Sequence, residues 1–260
     1  MKTYTIFQQP VLLQCCTLFI SAIIFCSCSH VYYSPNSANV PLFKEKGETR
    51  INGYYTLGNN GIDDIKGGEI QLATAVSDKV GLILNTAFLG ASEGEDNQKD
   101  EGHGSLIEVG AGYFKPVQKN SVFETYGGLG FGSVTNKYST AGSSKVNFIK
   151  LFIQPSFGYS VTHFDIGLVS KFSFVKMSVS ETNFIDENDP YKTFDMADIQ
   201  ANPFSVLWEP SLFIRVGFKT VKAQFQYTPS INLTNKTLLQ NVSVLSAGLS
   251  IALKAKNTGK

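Results

Sequence analysis

Past residue 28 this chain has no cysteine; Cys15, Cys16, Cys26 and Cys28 are its full complement. With the leader removed and Cys28 modified, no free thiol remains. That excludes a disulfide framework, a thiolate metal site and a cysteine nucleophile. An excess of either charge is lacking as well. Once Lys2 leaves with the leader, 21 bases face 21 acids, a balance that argues against a general nucleic-acid binder. Histidine is scarce at three residues, which leaves little material for acid–base chemistry. The apolar run Val11 to Phe25 is interrupted by Gln14 and is too short to persist as a membrane-spanning helix.

What the start of the chain does have is the outline of a secretory signal: Lys2, then the apolar run, then Phe25-Cys26-Ser27-Cys28. Ser27 before Cys28 resembles a bacterial lipoprotein box. Residues 1–27 therefore read as a lipoprotein signal peptide, with Cys28 as the lipidated (palmitate-bearing) first residue. Cys26 is the poorer candidate because bulky Phe25 precedes it. Residues 28–47 are polar and carry Pro35, Asn36, Asn39 and Pro41, so they are expected to form an extended tether. Leu42 and Phe43 are expected to dock on the underside of the domain that begins at Glu48.

Ten stretches of alternating apolar and polar residues then run from Glu48 to Lys254, and residues 255–260 form a tail. The alternation predicts strands at 48–57, 67–76, 79–90, 104–115, 121–136, 145–159, 162–176, 204–217, 219–228 and 242–254. In the ninth, Val221, Ala223, Phe225 and Tyr227 share one face while Lys222, Gln224 and Gln226 share the other. Successive strand side chains point to opposite faces, so the pattern separates two environments.

Three features place the apolar face outside, toward lipid, as in a membrane barrel. The polar faces carry small residues suited to a crowded lumen, such as Gly110, Gly112, Gly128, Gly130, Gly132, Ser156 and Gly158. Their charges balance: Arg50, Lys150, Lys171, Arg215 and Lys222 stand against Glu69, Glu108, Glu124, Asp165 and Glu209. An internal network is expected, since an unpaired charge in a closed lumen is costly. Aromatic residues gather at the ends of the apolar faces, with Tyr113, Phe123, Phe157, Tyr159 and Phe164 near the short turns. Tyr55, Phe88, Phe131, Phe174, Phe204 and Tyr227 lie near the long loops, giving two interfacial girdles.

The connectors alternate long and short. The long ones (58–66, 91–103, 137–144, 177–203, 229–241) are acidic, and the short-turn side is basic. The expected fold is thus all-β: a single antiparallel up-and-down transmembrane barrel of about ten strands, with short periplasmic turns and long outer loops. An even strand number sends both barrel ends out on the short-turn side. A lipid on Cys28 is then expected to enter the inner leaflet of the bacterial outer membrane from the periplasm.

Several stretches resemble outer-membrane β-barrel-domain lipoproteins of Gram-negative bacteria. They include Cys28, Tyr33-Ser34-Pro35-Asn36, Asn39-Val40-Pro41-Leu42-Phe43, Glu45-Lys46-Gly47-Glu48, the glycine run Gly127 to Gly132, Phe152 to Tyr159, and Glu209-Pro210-Ser211-Leu212. The resemblance spans nearly the whole mature chain and implies location and fold, not a reaction. The tail departs from it, since many such barrels end on an aromatic residue.

Catalytic constellations are weak. His163 and Asp165 share a strand parity that permits pairing, but at a short turn. His103 lies near Ser105 and Glu101, where a Ser-His-acid site is conceivable. Asp186, Glu187 and Asp189 cluster oxygen ligands that suit Ca²⁺, and divalent cations there would bridge the loops to lipopolysaccharide. The glycine runs are not followed by the helix or Lys-Ser/Thr of a phosphate cradle. The expectation is a non-enzymatic envelope lipoprotein that displays acidic loops for structure, adhesion or contact with an unidentified protein. A narrow channel or binder for a small solute or lipid ranks second, and a membrane-embedded hydrolase third. Expected partners are membrane lipid and lipopolysaccharide, not nucleic acid, and no cofactor is implied beyond loop-bound Ca²⁺.

Overall fold

The computed structural model describes residues 31–59, 64–93, 99–139, 142–184 and 190–254. The wall consists of β1 (Glu48–Asn59), β2 (Asp64–Ala75), β3 (Val80–Glu93), β4 (Asp100–Gln118), β5 (Ser121–Tyr138), β6 (Gly142–Ser160), β7 (Phe164–Phe184), β8 (Phe204–Gly217), β9 (Val221–Pro229) and β11 (Ser243–Lys254). A two-residue strand, β10 (Ile231–Asn232), and a helix, α1 (Pro190–Ala201), complete the elements. Each wall strand pairs antiparallel with the next in sequence. β11 then pairs with both β9 and β1, which closes the barrel. Closure removes every long open edge, the usual liability of a sheet.

The β8–β9 seam has an interruption with a simple cause. Pairing runs from Gly217↔Lys222 to Leu212↔Tyr227 and resumes in the same register at Trp208↔Ile231. In that register Pro210 stands opposite Pro229, and neither has an N–H for the ladder.

Period-two side-chain placement sorts the wall into two surfaces. On β9 the burial alternates strictly from Val221 to Thr228. Ile70 (63% exposed), Phe88 (62%), Leu168 (63%), Phe225 (58%) and Leu249 (55%) face outward, whereas Lys171 (0%) and Lys222 (6%) face inward. Each expected girdle aromatic is exposed or half-buried on the outer face. A continuous apolar exterior of this extent far exceeds the few hundred Å² that soluble monomers tolerate. Among the described residues no helix is long and apolar enough to cross a membrane.

Two stretches depart from expectation at the long-loop end. β7 continues to Phe184, past the expected end at 176, because Val175, Met177 and Val179 keep the inward alternation. Part of the expected loop 177–203 is α1. Proline opens this helix at a position where its missing N–H costs nothing, and Pro203 follows its end. Met196 and Ile199, one turn apart, are buried.

The largest correction concerns residues 28–47. The tether expected outside the barrel instead enters it: from Tyr32 to Phe43 every residue except half-buried Ser34 is buried in the lumen. We call this segment the strap. Tyr32 N–H donates to the Leu239 carbonyl and Asn241 N–H to the Tyr33 carbonyl, each at 2.9 Å, in the connector between β10 and β11 at the long-loop end. At the other end Lys46 N–H donates to Asp78 at 3.0 Å, and Gly47 N–H to the Ala75 carbonyl at 2.9 Å, beside the β2–β3 short turn. Leu42 and Phe43 therefore dock inside the barrel mouth, not beneath it. The described chain upstream of β1 begins at the long-loop mouth, contrary to the expectation of the short-turn side.

Candidate functional site

The lumen with its strap is the candidate site. A strap with no helix or strand, only a single β-bridge from Tyr33 to Gln240, buries peptide groups that must find partners. The inner faces of the strands, which alternate into the lumen, supply them as side chains. Three layers stack along the axis. At the long-loop end Tyr32 and Tyr33 join an apolar cluster with Phe148, Met177, Leu207 and the α1 residues Met196 and Ile199. At the short-turn end Phe43 clusters with Phe114, Tyr126 and Phe152, and Val40 and Leu42 with Val122, Val169 and Phe213. Between them lie ionic groups and amides.

All ten lumen charges named from the sequence are buried, with Arg50 the most exposed at 8%. They do not form one evenly matched network. In the first group Lys150 Nζ lies 3.0 Å from Glu108 and 3.5 Å from Glu209, and Lys171 Nζ lies 3.1 Å from Glu108. Asn36 of the strap sits among them. Its Oδ1 accepts from Lys150 at 3.1 Å and Lys171 at 3.0 Å, and its Nδ2 donates to Glu108 at 2.8 Å. Glu209 also accepts from Tyr33 and from Ser173, each at 2.6 Å. In the second group Asp165 faces Lys222 at 2.6 Å, Arg50 at 3.5 Å and Arg215 at 3.7 Å. Arg215 Nη2 donates to the strap carbonyl of Val40 at 2.7 Å.

The other two acids serve the strap and not a cation. Glu69 accepts from Ser37 N–H at 2.9 Å, Ser37 Oγ at 3.1 Å and Thr56 Oγ1 at 2.8 Å. Glu124 accepts the successive amides of Leu42 at 3.0 Å and Phe43 at 2.9 Å, one on each oxygen. Leu42 takes a left-handed φ of 56°, which turns those two amides the same way and makes a small anion nest. Gln71, Asn85 and Gln154 hold the middle of the strap: Gln71 donates to the Ser37 carbonyl at 2.7 Å, Gln154 to the Asn39 carbonyl at 2.9 Å, and Asn39 to Asn85 at 2.8 Å.

The inward glycines make room. A Cβ on Gly132 would lie 2.1 Å from the Phe148 ring, and one on Gly158 would lie 2.5 Å from Leu42 of the strap. Cavities flank the strap at both mouths. One of about 90 Å³, between Tyr33, Pro35, Leu89 and Phe148, has room for a few waters. The other, about 400 Å³, opens between Leu42, Lys222 and Lys254 at the short-turn mouth.

Sequence reasoning missed the strap residues Tyr33, Asn36, Ser37 and Asn39 as lumen groups. The available signal was the surplus of inward amides, Asn52, Gln71, Asn85, Gln154, Gln224 and Gln226, which exceeds what wall-to-wall charge pairing needs. The catalytic candidates stay apart. His163 is exposed, its Nδ1 2.9 Å from the Gly217 carbonyl, while Asp165 bonds Ser160 and Lys222 inside. Among the described residues no hydrogen bond joins His103 to Ser105 or Glu101, and no cluster of three His, Cys, Asp or Glu residues suits a metal ion. Asp186, Glu187 and Asp189, with the Ca²⁺ expected there, lie outside the described residues, as does Cys28.

No family model matches the chain and no curated protein matches it. Among solved structures, it is similar to the transport unit of the autotransporter AIDA-I from Escherichia coli. The identity is 13%, 82% of this chain and 85% of that one are covered, and the TM-score is 0.37. It is also similar to the β domain of the Bordetella autotransporter Brka (7% identity, 79% and 98% coverage, TM-score 0.32) and to CdiB from Escherichia coli (11%, 81% and 64%, TM-score 0.23). The barrel fold stands on its own closed strand ladder and not on these likenesses.

Proposed function

We propose that this chain is an outer-membrane barrel lipoprotein, anchored through Cys28, that holds its long loops and α1 at the cell surface and neither conducts solutes nor catalyses a reaction. The observation that carries this reading is the strap, which fills the lumen from Tyr32 to Phe43 and engages the wall in all three layers. A barrel wall of ten strands leaves more interior than its own side chains fill, since about eight is the number that closes on side chains alone. Here the chain's own N-terminal segment occupies the remainder. The outward apolar side chains support a bilayer as the surrounding medium, each gaining about 1.5–3 kcal/mol when fully withdrawn from water. The loops, acidic in sequence, supply the contact surface, for a protein partner or for lipopolysaccharide bridged by divalent cations.

Planar-bilayer recording of the refolded mature chain tests this reading. A silent bilayer containing inserted protein is expected. A steady open current would favour the channel and overturn the display role.

A further inference from the structure

We propose that the strap carries the N-terminal side of the mature chain through the chain's own barrel, so that it emerges on the face of the long loops, opposite the end of β11. An acyl chain on Cys28 then enters the leaflet beneath those loops, not the one beside the short turns. This rests on the proposed membrane setting for the word leaflet. The shared side of the N-terminus and the loops rests on the strap alone.

The direction of the strap is read from its partners in order. Tyr32 and Tyr33 bond Leu239 and Asn241 of the β10–β11 connector, and Asn36 meets Glu108 at mid-barrel. Leu42 and Phe43 meet Glu124, and Lys44 Nζ reaches the Ser160 carbonyl of the β6–β7 short turn at 3.3 Å. β11 ends beside the start of β1, with Lys254 opposite Glu48 and bonded to Glu45. The two ends of the described chain therefore lie at opposite mouths. Reach fixes the rest. Cys28 is three residues before Val31, and three residues extend by at most about 11 Å. The hydrocarbon core is about 30 Å thick, so Cys28 cannot return to the short-turn side.

Single thiols test the proposal, because an acylated Cys28 leaves none of its own. His30→Cys, Ser139→Cys (exposed, long-loop end) and Lys254→Cys (short-turn end) are made in the full chain. A membrane-impermeant maleimide is applied to intact and to permeabilised cells. The proposal expects His30→Cys to follow Ser139→Cys in both samples and Lys254→Cys to behave oppositely. Should Cys28 be free, the unsubstituted chain labels on its own and reports the same face as His30, and its labelling is subtracted from that of the three variants. His30→Cys labelling together with Lys254→Cys, against Ser139→Cys, overturns it. Protection of both His30→Cys and Ser139→Cys in intact cells inverts the barrel and removes the display role but supports the strap. If all three label alike, the membrane reading fails, and a second measurement decides. Ser37 Oγ and Ser246 Oγ are 2.7 Å apart in the lumen, so a Ser37→Cys, Ser246→Cys pair should oxidise to an internal disulfide. Folded protein in which these thiols stay unlinked under oxidant overturns the proposal whatever the medium.

Discussion

Removing the carboxylate of Glu108 is the most informative single perturbation of the lumen. Its two oxygens lie 3.1 and 3.2 Å from Lys171 Nζ, one of them lies 3.0 Å from Lys150, and all three side chains are fully buried. In Glu108→Gln, Lys150 keeps Glu209 at 3.5 Å. Lys171 loses its carboxylate partner and keeps neutral groups: the Asn36 carbonyl at 3.0 Å, the amide oxygen introduced at position 108, and the face of Phe152, 4.9 Å away. Breaking a buried pair by deleting one partner costs about 3–5 kcal/mol, and the Lys171–Phe152 contact, present before and after the substitution, offsets none of it. The net expectation is a loss of about 3–5 kcal/mol, or roughly 140- to 3,700-fold in the folding constant at about 1.4 kcal/mol per decade. Urea titration in detergent, followed by the shift between folded and heated gel mobility, reads it. Adding Lys171→Met removes the stranded cation, so the double variant should be more stable than Glu108→Gln alone. A Glu108→Gln loss below about 0.5 kcal/mol, the range of ordinary surface substitutions, would refute the ion-group geometry. So would a double variant no better than the single.

Glu124→Gln should loosen the short-turn end of the strap, because one of the two acceptors for the Leu42 and Phe43 amides is lost while Leu42 keeps its left-handed backbone. A destabilisation of about 1–3 kcal/mol is expected, accompanied by faster tryptic cleavage at Lys44 or Lys46; wild-type protease resistance would count against the nest. The single tryptophan gives a test without mutation. Trp208 is half-buried on the outer face, with Nε1 donating to Ser170 at 3.0 Å, so its emission should be quenched in vesicles of brominated lipid. Unchanged emission in membrane-inserted protein would mean that this face does not meet acyl chains.

How legible the fold was depended on whether a segment's environment repeats along the chain. β9 and β11 place an apolar and a polar residue in alternation against lipid and lumen, and a two-residue period is visible without knowing the neighbours. The same period brought the ten charged residues onto inward positions. The strap has no period. Its Pro35, Asn36, Ser37, Asn39 and Pro41 suit a segment surrounded by hydrogen-bonding groups, and a polar lumen offers those as water does. The strap's own composition therefore cannot separate a solvated tether from a threaded one; the surplus of inward amides on the wall and the closure of the barrel around the segment do. For the same reason Glu69 and Glu124 read as members of a wall network, although they answer strap amides and hydroxyls. The helix α1 was hidden for a different reason, since twelve residues inside an acidic connector, with Met196 and Ile199 buried one turn apart, give too short a period to stand out.

What occupies the barrel axis decides both the sealed lumen and the side of the N-terminus, and an experimental density map of the mature chain in detergent or nanodiscs reads it directly. The map should show continuous density from Val31 to Phe43 through the lumen, with Tyr33 on Glu209 and Leu42 seated over Gly158. A water-filled lumen with residues 31–43 outside the wall would contradict both.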